Sequence, residues 1–531
     1  MMLDDTDGKN SAELVEMSGL VERIIYQNEE TGYTVCDLSN ESGELVTLVG
    51  IMPFLTEGET IKALGRWEVH SSYGRQLKVE YYEKELPSST PAILKYLSSR
   101  AVRGIGPVTA KRIVDKFGED TFDVIENHPE MLAEIPGISR KKAEEISEHF
   151  RAQFGVRSVM MFCRDFVGPA AALKIYQRWG AGAVDIIRQN PYILCEEIPG
   201  VGFVRADRIA RSIGFAADAP ERVSAGICYI LRYNAETSGH VCLPEDKLAE
   251  VAASQLGTSA EKVASAMDAL EAVGKIARTE ILGKRYLYLK EYRDAELYIA
   301  RRLRELDKLC VPLDTSDIER FISQLELELD IKYASGQRRA IEAVMTHGVT
   351  ILTGGPGTGK TTVIRAVLTV FDRIGFKSAL AAPTGRAAKR MSQATMREAK
   401  TVHRLLEMDA SGGRDRPVFR RDERTRLEED VIVIDEVSMM DCLLTEALLR
   451  AIKPGARLIL IGDADQLPSV GAGNVLCDLI ESGQFETVKL TEVFRQAGES
   501  LIVTNAHAIN RGEYPNLTSN RSDFFFIARE R

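Results

Sequence analysis

A phosphate-binding loop constrains this chain more than any other feature. Residues 351–364 read ILTGGPGTGKTTVI, in which Gly354, four residues, then Gly359, Lys360 and Thr361 complete the pattern G-x-x-x-x-G-K-[ST]. Such a loop works where a buried strand delivers the chain to the start of a helix, so it demands an α/β layer around it. The backbone of Gly354, Gly355, Pro356, Gly357, Thr358 and Gly359 can wrap a nucleoside triphosphate, because glycine permits close approach. Lys360 is expected to reach the β and γ oxygens, Thr361 to ligate magnesium, and Thr362 to complete the cradle. Loops of this kind serve kinases, GTPases, transporters and motors alike, so the rest of the chain must say what the energy is for.

The runs VTILTG (349–354), SALAAPT (378–384), DVIVIDE (430–436) and RLILIGD (457–463) alternate with helical segments, as buried parallel strands do. Each ends in a polar cluster at its C-terminal edge, where an open α/β sheet builds its site. Asp435 is placed to hold magnesium through water, and Glu436 to orient or activate the water that attacks the γ-phosphate. In GDADQLPSVG, Gln466 either senses the γ-phosphate or belongs to a polar turn.

A chain of 531 residues exceeds one hydrophobic core, and roughly 100–200 residues per domain gives about three to five units. With 44% hydrophobic and 27% charged residues the composition is globular, and no apolar run is long enough to span a bilayer. The N-terminal MMLDDTDGKN is acidic and lacks an apolar core, so it does not read as a secretory signal, and the expected address is cytoplasmic. The eight cysteines, at 36, 163, 195, 228, 242, 310, 442 and 477, are too scattered for CxxC zinc spacing or a disulfide framework, and read as small buried apolar residues. A net charge of -10 does not advertise a polyanion ligand, but a local basic groove is compatible with it.

Upstream of the motor-like half, five alternating segments between about residues 18 and 86 suggest a small β-barrel. Its aromatics Tyr33, Trp67, Tyr73, Tyr81 and Tyr82 either stack bases, as on an OB-type barrel, or fill core and rim. From about 90 to 215 the pattern turns helical and three segments align without gaps: VRGIGPVTAKRI, IPGISRKKAEEI and IPGVGFVRADRI. Each carries a glycine turn (Gly104, Gly137, Gly200), with Gly106 and Gly202 at the following helix start in the first and third. These look like helix-hairpin-helix motifs, whose open N–H groups grip phosphates without reading sequence. Lys111, Arg112, Arg140, Lys141, Lys142 and Arg205 supply counter-charge. Residues 216 to about 300 suit a winged-helix-like connector or a structural linker, and a long helix at about 294–306 follows.

ASGQRRAI, LTGGPGTGKTTV, AAPTGRAAKRM, VHRLLE, IDEVSMMD, IGDADQLPSVGAGNVL and LTEVFRQA resemble, in this order and spacing, the Gln motif and motifs I to IV of superfamily 1 DNA helicases. The resemblance is to the RecD-like branch (RecD/TraA type), and the barrel and hairpins resemble its long form. It implies a DNA-dependent ATPase, using ATP and Mg²⁺, that travels 5′ to 3′ on single-stranded DNA and acts at single/double-strand junctions, in repair or recombination, with no membrane association. It further implies that Gln337 contacts adenine and that Arg495 is an arginine finger. Pro383, Thr384, Arg386 and His403 would lie on the DNA side. A kinase or GTPase reading leaves Gln466, PTGRAAKR and the hairpin repeats unexplained.

The expected fold class is therefore multidomain: an OB-like β-barrel (1–88), helix-hairpin-helix repeats (89–215), a helical or winged-helix-like connector (216–325) and an α/β RecA-like P-loop lobe (326–497). The lobe would carry a hairpin insertion at about 407–429, where a solvated loop is the alternative, and 498–531 would begin a second lobe. Motifs V and VI of the family are not found before Arg531, so the sequence reads as a C-terminally truncated piece or as a chain that needs a partner, and unwinding by these residues alone is left open. The alternative is a nucleotide-gated DNA clamp or scaffold with weak ATPase.

Overall fold

The computed structural model describes residues 14–28, 31–40, 42–53, 55–70, 73–84, 90–98, 102, 104–163, 166–409, 417–492, 500–517 and 523–527. It divides into two compact units, Met1–Ala225 and Gly226–Arg531.

In the first unit, strands β1 (Val15–Gln27), β2 (Tyr33–Asn40), β3 (Leu45–Ile51), β4 (Thr60–His70) and β5 (Gly74–Lys84) close into a barrel in the order β1-β2-β3-β5-β4. Only β3 and β5 pair in parallel. Alternation along β2 turns Thr34, Cys36 and Leu38 inward, which is how a two-residue period fills so small an interior. Neighbouring strands come close enough that a Cβ at Gly65 would lie 2.3 Å from the Lys78 carbonyl oxygen, so only glycine fits there. The barrel aromatics occupy both core and rim. Tyr82 is buried with its hydroxyl on the Pro53 carbonyl, whereas Tyr73 is 82% exposed beside His70 and Trp67 lies under the Arg75 guanidinium at 4.1 Å.

The helical part repeats one succession of elements twice. Pro107–Phe117, the 3-10 turn Gly118–Asp120, Thr121–Asn127, Pro129–Leu132 and Arg140–Cys163 are followed by Pro169–Trp179, Gly180–Gly182, Ala183–Gln189, Leu194–Glu197 and Phe203–Ser212. The duplication matches IGPVTAKRI from Ile105 with VGPAAALKI from Val167, adding a fourth helix start, at Gly168, to the three aligned segments. The first copy packs on its own core, including Ile93, Ile113, Ile135 and Ile146. The second shares one continuous core with the barrel, from Leu38 and Leu48 to Ile175, Ile187 and Ile209. Barrel residue Gly32 lies so near that a Cβ there would meet Leu173 Cδ2 at 3.0 Å.

A buried polar knot closes the second copy. Asp207 accepts from the Tyr192 hydroxyl and from Arg222 Nε, each at 2.7 Å, and pairs with Arg211 at 2.7 Å. Burial alone would raise its carboxyl, but the hydrogen bonds from Arg222 and Tyr192 outweigh it and hold the group below its ordinary value.

The second unit opens with strand β6 (Cys242–Pro244), helices Glu245–Leu256 and Ala260–Ala272, and strands β7 (Ile276–Ile281) and β8 (Lys284–Leu289). The three strands form an antiparallel sheet in the order β6-β8-β7. Helix Lys290–Leu309 is longer than the 294–306 pattern suggests. Its Ala295, Ile299, Leu303 and Leu306 enter the core of the α/β layer, and Asp307 Oδ1 accepts from the N–H groups of Gly348 and Val349 at 3.0 Å each.

The α/β layer contains β9 (Val349–Gly354), β10 (Ser378–Ala382), β11 (Ala399–Thr401), a small ladder of β12 (Met408–Asp409) with β13 (Val418–Phe419), then β14 (Val431–Ile434), β15 (Arg457–Gly462) and β16 (Glu486–Leu490). Six of these form a parallel sheet in the order β11-β10-β14-β15-β9-β16. Every residue of β9, β14 and β15 is buried, as both faces of the sheet are covered. Ile351, Ile432, Ile434, Leu458 and Leu460 face the core built with Lys290–Leu309. Their alternates Leu352, Val431, Val433, Ile459 and Ile461 face helices Ser335–Thr346 and Lys360–Arg373. Among the described residues no helix is long and apolar enough to cross a membrane.

Candidate nucleotide and DNA sites

Strand β9 ends at Gly354, the loop runs over 355–359, and helix Lys360–Arg373 begins at once. Gly357 and Gly359 take φ of +79° and +80°, a left-handed conformation that glycine supplies at no steric cost. Gly359 caps the helix with no side-chain acceptor, so the first helical N–H groups face the loop's hollow uncapped by a side chain. Thr358 is buried and donates to the Gly355 carbonyl at 2.9 Å, while Pro356 and Gly357 are exposed. Lys360 Nζ donates to the carbonyls of Gly354 and Gly355, the latter at 3.1 Å. Thr361 and Thr362 are half-buried in the first turn.

Asp435 and Glu436 follow β14, which is separated from β9 only by β15, so both carboxylates stand at the same sheet edge as the loop. Burial pushes the Asp435 carboxyl up, against the pull of Lys360 and Arg390. Glu436 is raised by burial and then by Asp435, with Asp463 adding to it. Glu436 stands at φ +55°, an uncommon conformation for a non-glycine residue, and its N–H donates to Asp435 Oδ1 at 2.9 Å. Gln466 is exposed in the turn after β15, its N–H donating to the Asp463 carbonyl at 3.2 Å.

Gln337 is buried. Its Oε1 accepts from the Ala334 N–H at 3.0 Å, and its Nε2 lies 3.4 Å from the Gly359 carbonyl, so the amide braces the phosphate loop itself. Arg495 lies outside the described residues. Three charged or polar groups at the site were not picked out from the sequence. Arg390 is the cation that Asp435 and Glu436 feel beside Lys360, buried Asp463 follows the neighbouring strand, and the His507 ring packs on Gly355. The position of Asp463 in RLILIGD, matching Asp435 in VIVIDE, was the available signal for one of them.

Pro383, Thr384 and Arg386 follow β10, and His403 follows β11; since Ala382 pairs with Thr401, they gather at one end of two adjacent strands. Thr384 Oγ1 accepts from the Ala387 N–H at 3.2 Å and caps helix Gly385–Thr395, while Arg386 is exposed in its first turn. The His403 ring centroid is 5.9 Å from that of Phe419 on β13.

In the first unit, Gly104, Gly137 and Gly200 have φ of +94°, +97° and +88°, and Gly106, Gly168 and Gly202 start helices without side-chain caps. The hairpins differ in how their cations are spent. Arg112 donates to the Pro136 carbonyl at 2.7 Å and lies over Gly137, whose helix is capped by Ser139 on the Lys142 N–H. Arg205 donates to the Gly200 carbonyl at 3.0 Å.

Four family models match the chain. They are described as "ATP-dependent DNA helicase YrrC, OB-fold domain" over residues 14–87, "SAM-like Helix-hairpin-helix tandem" over 96–152, "ATP-dependent RecD2 DNA helicase HHH domain" over 152–242 and "AAA domain" over 337–472. The chain is similar to the ATP-dependent RecD2 DNA helicase of Deinococcus radiodurans, with 32% identity over 522 residues, 95% of this chain and 71% of that protein. It is also similar to the RecBCD enzyme subunit RecD of Mycobacterium tuberculosis, with 35% identity over 331 residues, 57% of this chain and 55% of that one. A solved Pif1 helicase from Candida albicans overlaps 35% of this chain and 46% of its own at 24% identity, with a TM-score of 0.27 that is too low to inform the fold.

Proposed function

The chain belongs to the RecD2-type family of ATP-dependent DNA helicases, and we propose that it spends Mg-ATP to travel 5′ to 3′ on single-stranded DNA and to part duplexes at single/double-strand junctions, in repair or recombination and in the cytoplasm. The observation that carries this reading is the convergence of Lys360, Asp435 and Glu436 at one sheet edge, in a chain that also carries barrel and hairpin modules.

In the proposed reaction the loop and the start of helix Lys360–Arg373 hold the triphosphate by backbone N–H groups. Lys360 exchanges its bonds to the loop carbonyls for phosphate oxygens and neutralises charge that grows in the transition state. Glu436 accepts a hydrogen bond from the water that attacks in line. Thr361 and Asp435 are the residues that would hold Mg²⁺, which supplies further charge neutralisation on the phosphates. They fit a hard cation: one hydroxyl and one carboxylate, the latter buried and raised by that burial, so that a neighbouring positive charge relieves it. Gln466 and Arg495 are assigned to the γ-phosphate, and Gln337 positions the loop and the adenine edge. Pro383, Thr384, Arg386 and His403, with the hairpin turns, take the DNA backbone. Contacts made mainly to phosphates give binding that ignores base sequence and falls with salt.

Duplexes with 5′ or 3′ single-stranded tails, presented with ATP, test direction and unwinding together. Parting of the 5′-tailed duplex alone supports the proposal. Preference for the 3′ tail overturns the direction, and ATP-dependent binding with no strand separation favours the clamp.

A further inference from the structure

We propose that His507 is a further phosphate ligand of the ATP site, its Nε2 donating to an oxygen at the β–γ end of the bound triphosphate; the inference rests on the nucleotide-site reading above.

His507 lies on helix Leu501–Asn510, which is fixed at both ends of its first two turns. Ser500 Oγ caps it by accepting from the Val503 N–H at 3.3 Å. Asn505 is bound in both directions to Asn516, donating to its carbonyl at 3.0 Å and accepting from its N–H at 2.7 Å. This anchoring sets the imidazole on the phosphate loop. A Cβ at Gly355 would lie 2.6 Å from His507 Cε1 and 3.5 Å from each ring nitrogen, so the ring sits where it does only because residue 355 has no side chain. The same Gly355 offers its carbonyl to Lys360 Nζ at 3.1 Å. One loop residue is thus touched by two side chains whose chemistry suits phosphate.

The ring's Nε2 is buried and has no hydrogen-bond partner among the described residues. A buried nitrogen left unsatisfied is costly, and a ring serving only as a spacer would be better replaced by an apolar one of the same shape. An incoming phosphate oxygen supplies the missing partner at a place where the loop already directs phosphates. His507 therefore adds a side-chain donor to a cradle otherwise made of backbone N–H groups and Lys360, and it comes from a helix beyond the last strand of the sheet.

Two variants of the full chain separate this role from packing. His507→Phe keeps a ring on Gly355 and removes the donor; His507→Gln removes the ring and keeps a donor. Equilibrium binding of a fluorescent, non-hydrolysable ATP analogue is measured for both, beside Lys360→Ala and with melting temperatures taken without nucleotide. The expected result is that His507→Phe weakens analogue binding by about tenfold, the worth of one hydrogen bond to a charged group. Its melting temperature without nucleotide should not fall, since the unsatisfied nitrogen is removed, its DNA affinity should stay unchanged, and His507→Gln should restore most of the loss. Wild-type affinity in His507→Phe, or equal weakness in His507→Gln, overturns the proposal. If His507→Phe keeps full affinity while Lys360→Ala loses it, the nucleotide site stands without His507; if Lys360→Ala keeps it too, both readings fall.

Discussion

Lys360 Nζ donates to the carbonyl oxygen of Gly355 at 3.1 Å, so the ammonium is folded onto the loop from which it reaches for phosphate. These bonds are ones that a triphosphate replaces with charge-assisted contacts, at little structural cost. Lys360→Ala should therefore leave the fold and DNA affinity intact while lowering ATP hydrolysis by about 10²–10³-fold, the usual effect of removing one preorganised charge-stabilising donor. Steady-state hydrolysis and DNA anisotropy on the same preparation check this, and an unchanged rate would remove the proposed site.

Glu436 combines a raised carboxyl with φ of +55°. A strained backbone at the end of a buried strand fits a residue whose aim matters more than its comfort. Glu436→Gln should bind ATP and DNA like the wild type, yet hydrolyse about 10²–10⁴-fold more slowly, because the amide no longer accepts the water's proton. Single-turnover kinetics distinguish this from a binding defect. A proportional loss of ATP affinity would instead make Glu436 a ligand.

The three turn glycines have φ between +88° and +97°, so alanine at any of them is strained by about 1–2 kcal/mol. Replacing Gly104, Gly137 and Gly200 together should weaken DNA binding and flatten its dependence on salt, as phosphate contacts are lost. Circular dichroism keeps the fold in view. Undiminished affinity with an intact fold would reduce the hairpins to spacers.

Asp207 ties helix Phe203–Ser212 to Arg222 and Tyr192 inside the core shared with the barrel. Asp207→Asn leaves Arg222 buried without its charge partner and should cost about 3 kcal/mol. Because the folded carboxyl is held below its ordinary value of 3.8, its contribution is fully present above that value and is lost as pH falls below it. Thermal melts of the wild type should therefore drop more steeply below about pH 4 than those of Asp207→Asn. Parallel pH profiles would show that the pair contributes nothing.

Much of this was legible in one dimension, because the signals are local. Alternation marks the five barrel strands, continuous apolar runs mark β9, β14 and β15, and the glycine pattern fixes the loop before Lys360. The fourth hairpin start was missed because Phe166 stands where the first copy has Gly104, although Gly168 and Pro169 repeat Gly106 and Pro107. Lys290–Leu309 runs past its periodic stretch because Asp307 is needed by the backbone of Gly348 and Val349, a contact with no sequence period. His507 and Arg390 reach the site only through tertiary packing. The bracing of the loop by Gln337 is likewise invisible until residues 337 and 359 are seen side by side.

Coupling of the nucleotide site to DNA is tested by ATP hydrolysis as single-stranded DNA is titrated in, with Lys360→Ala as the blank. Turnover should rise with DNA, fall with added salt and be lost in Lys360→Ala. Hydrolysis indifferent to DNA, or surviving in Lys360→Ala, would contradict that coupling.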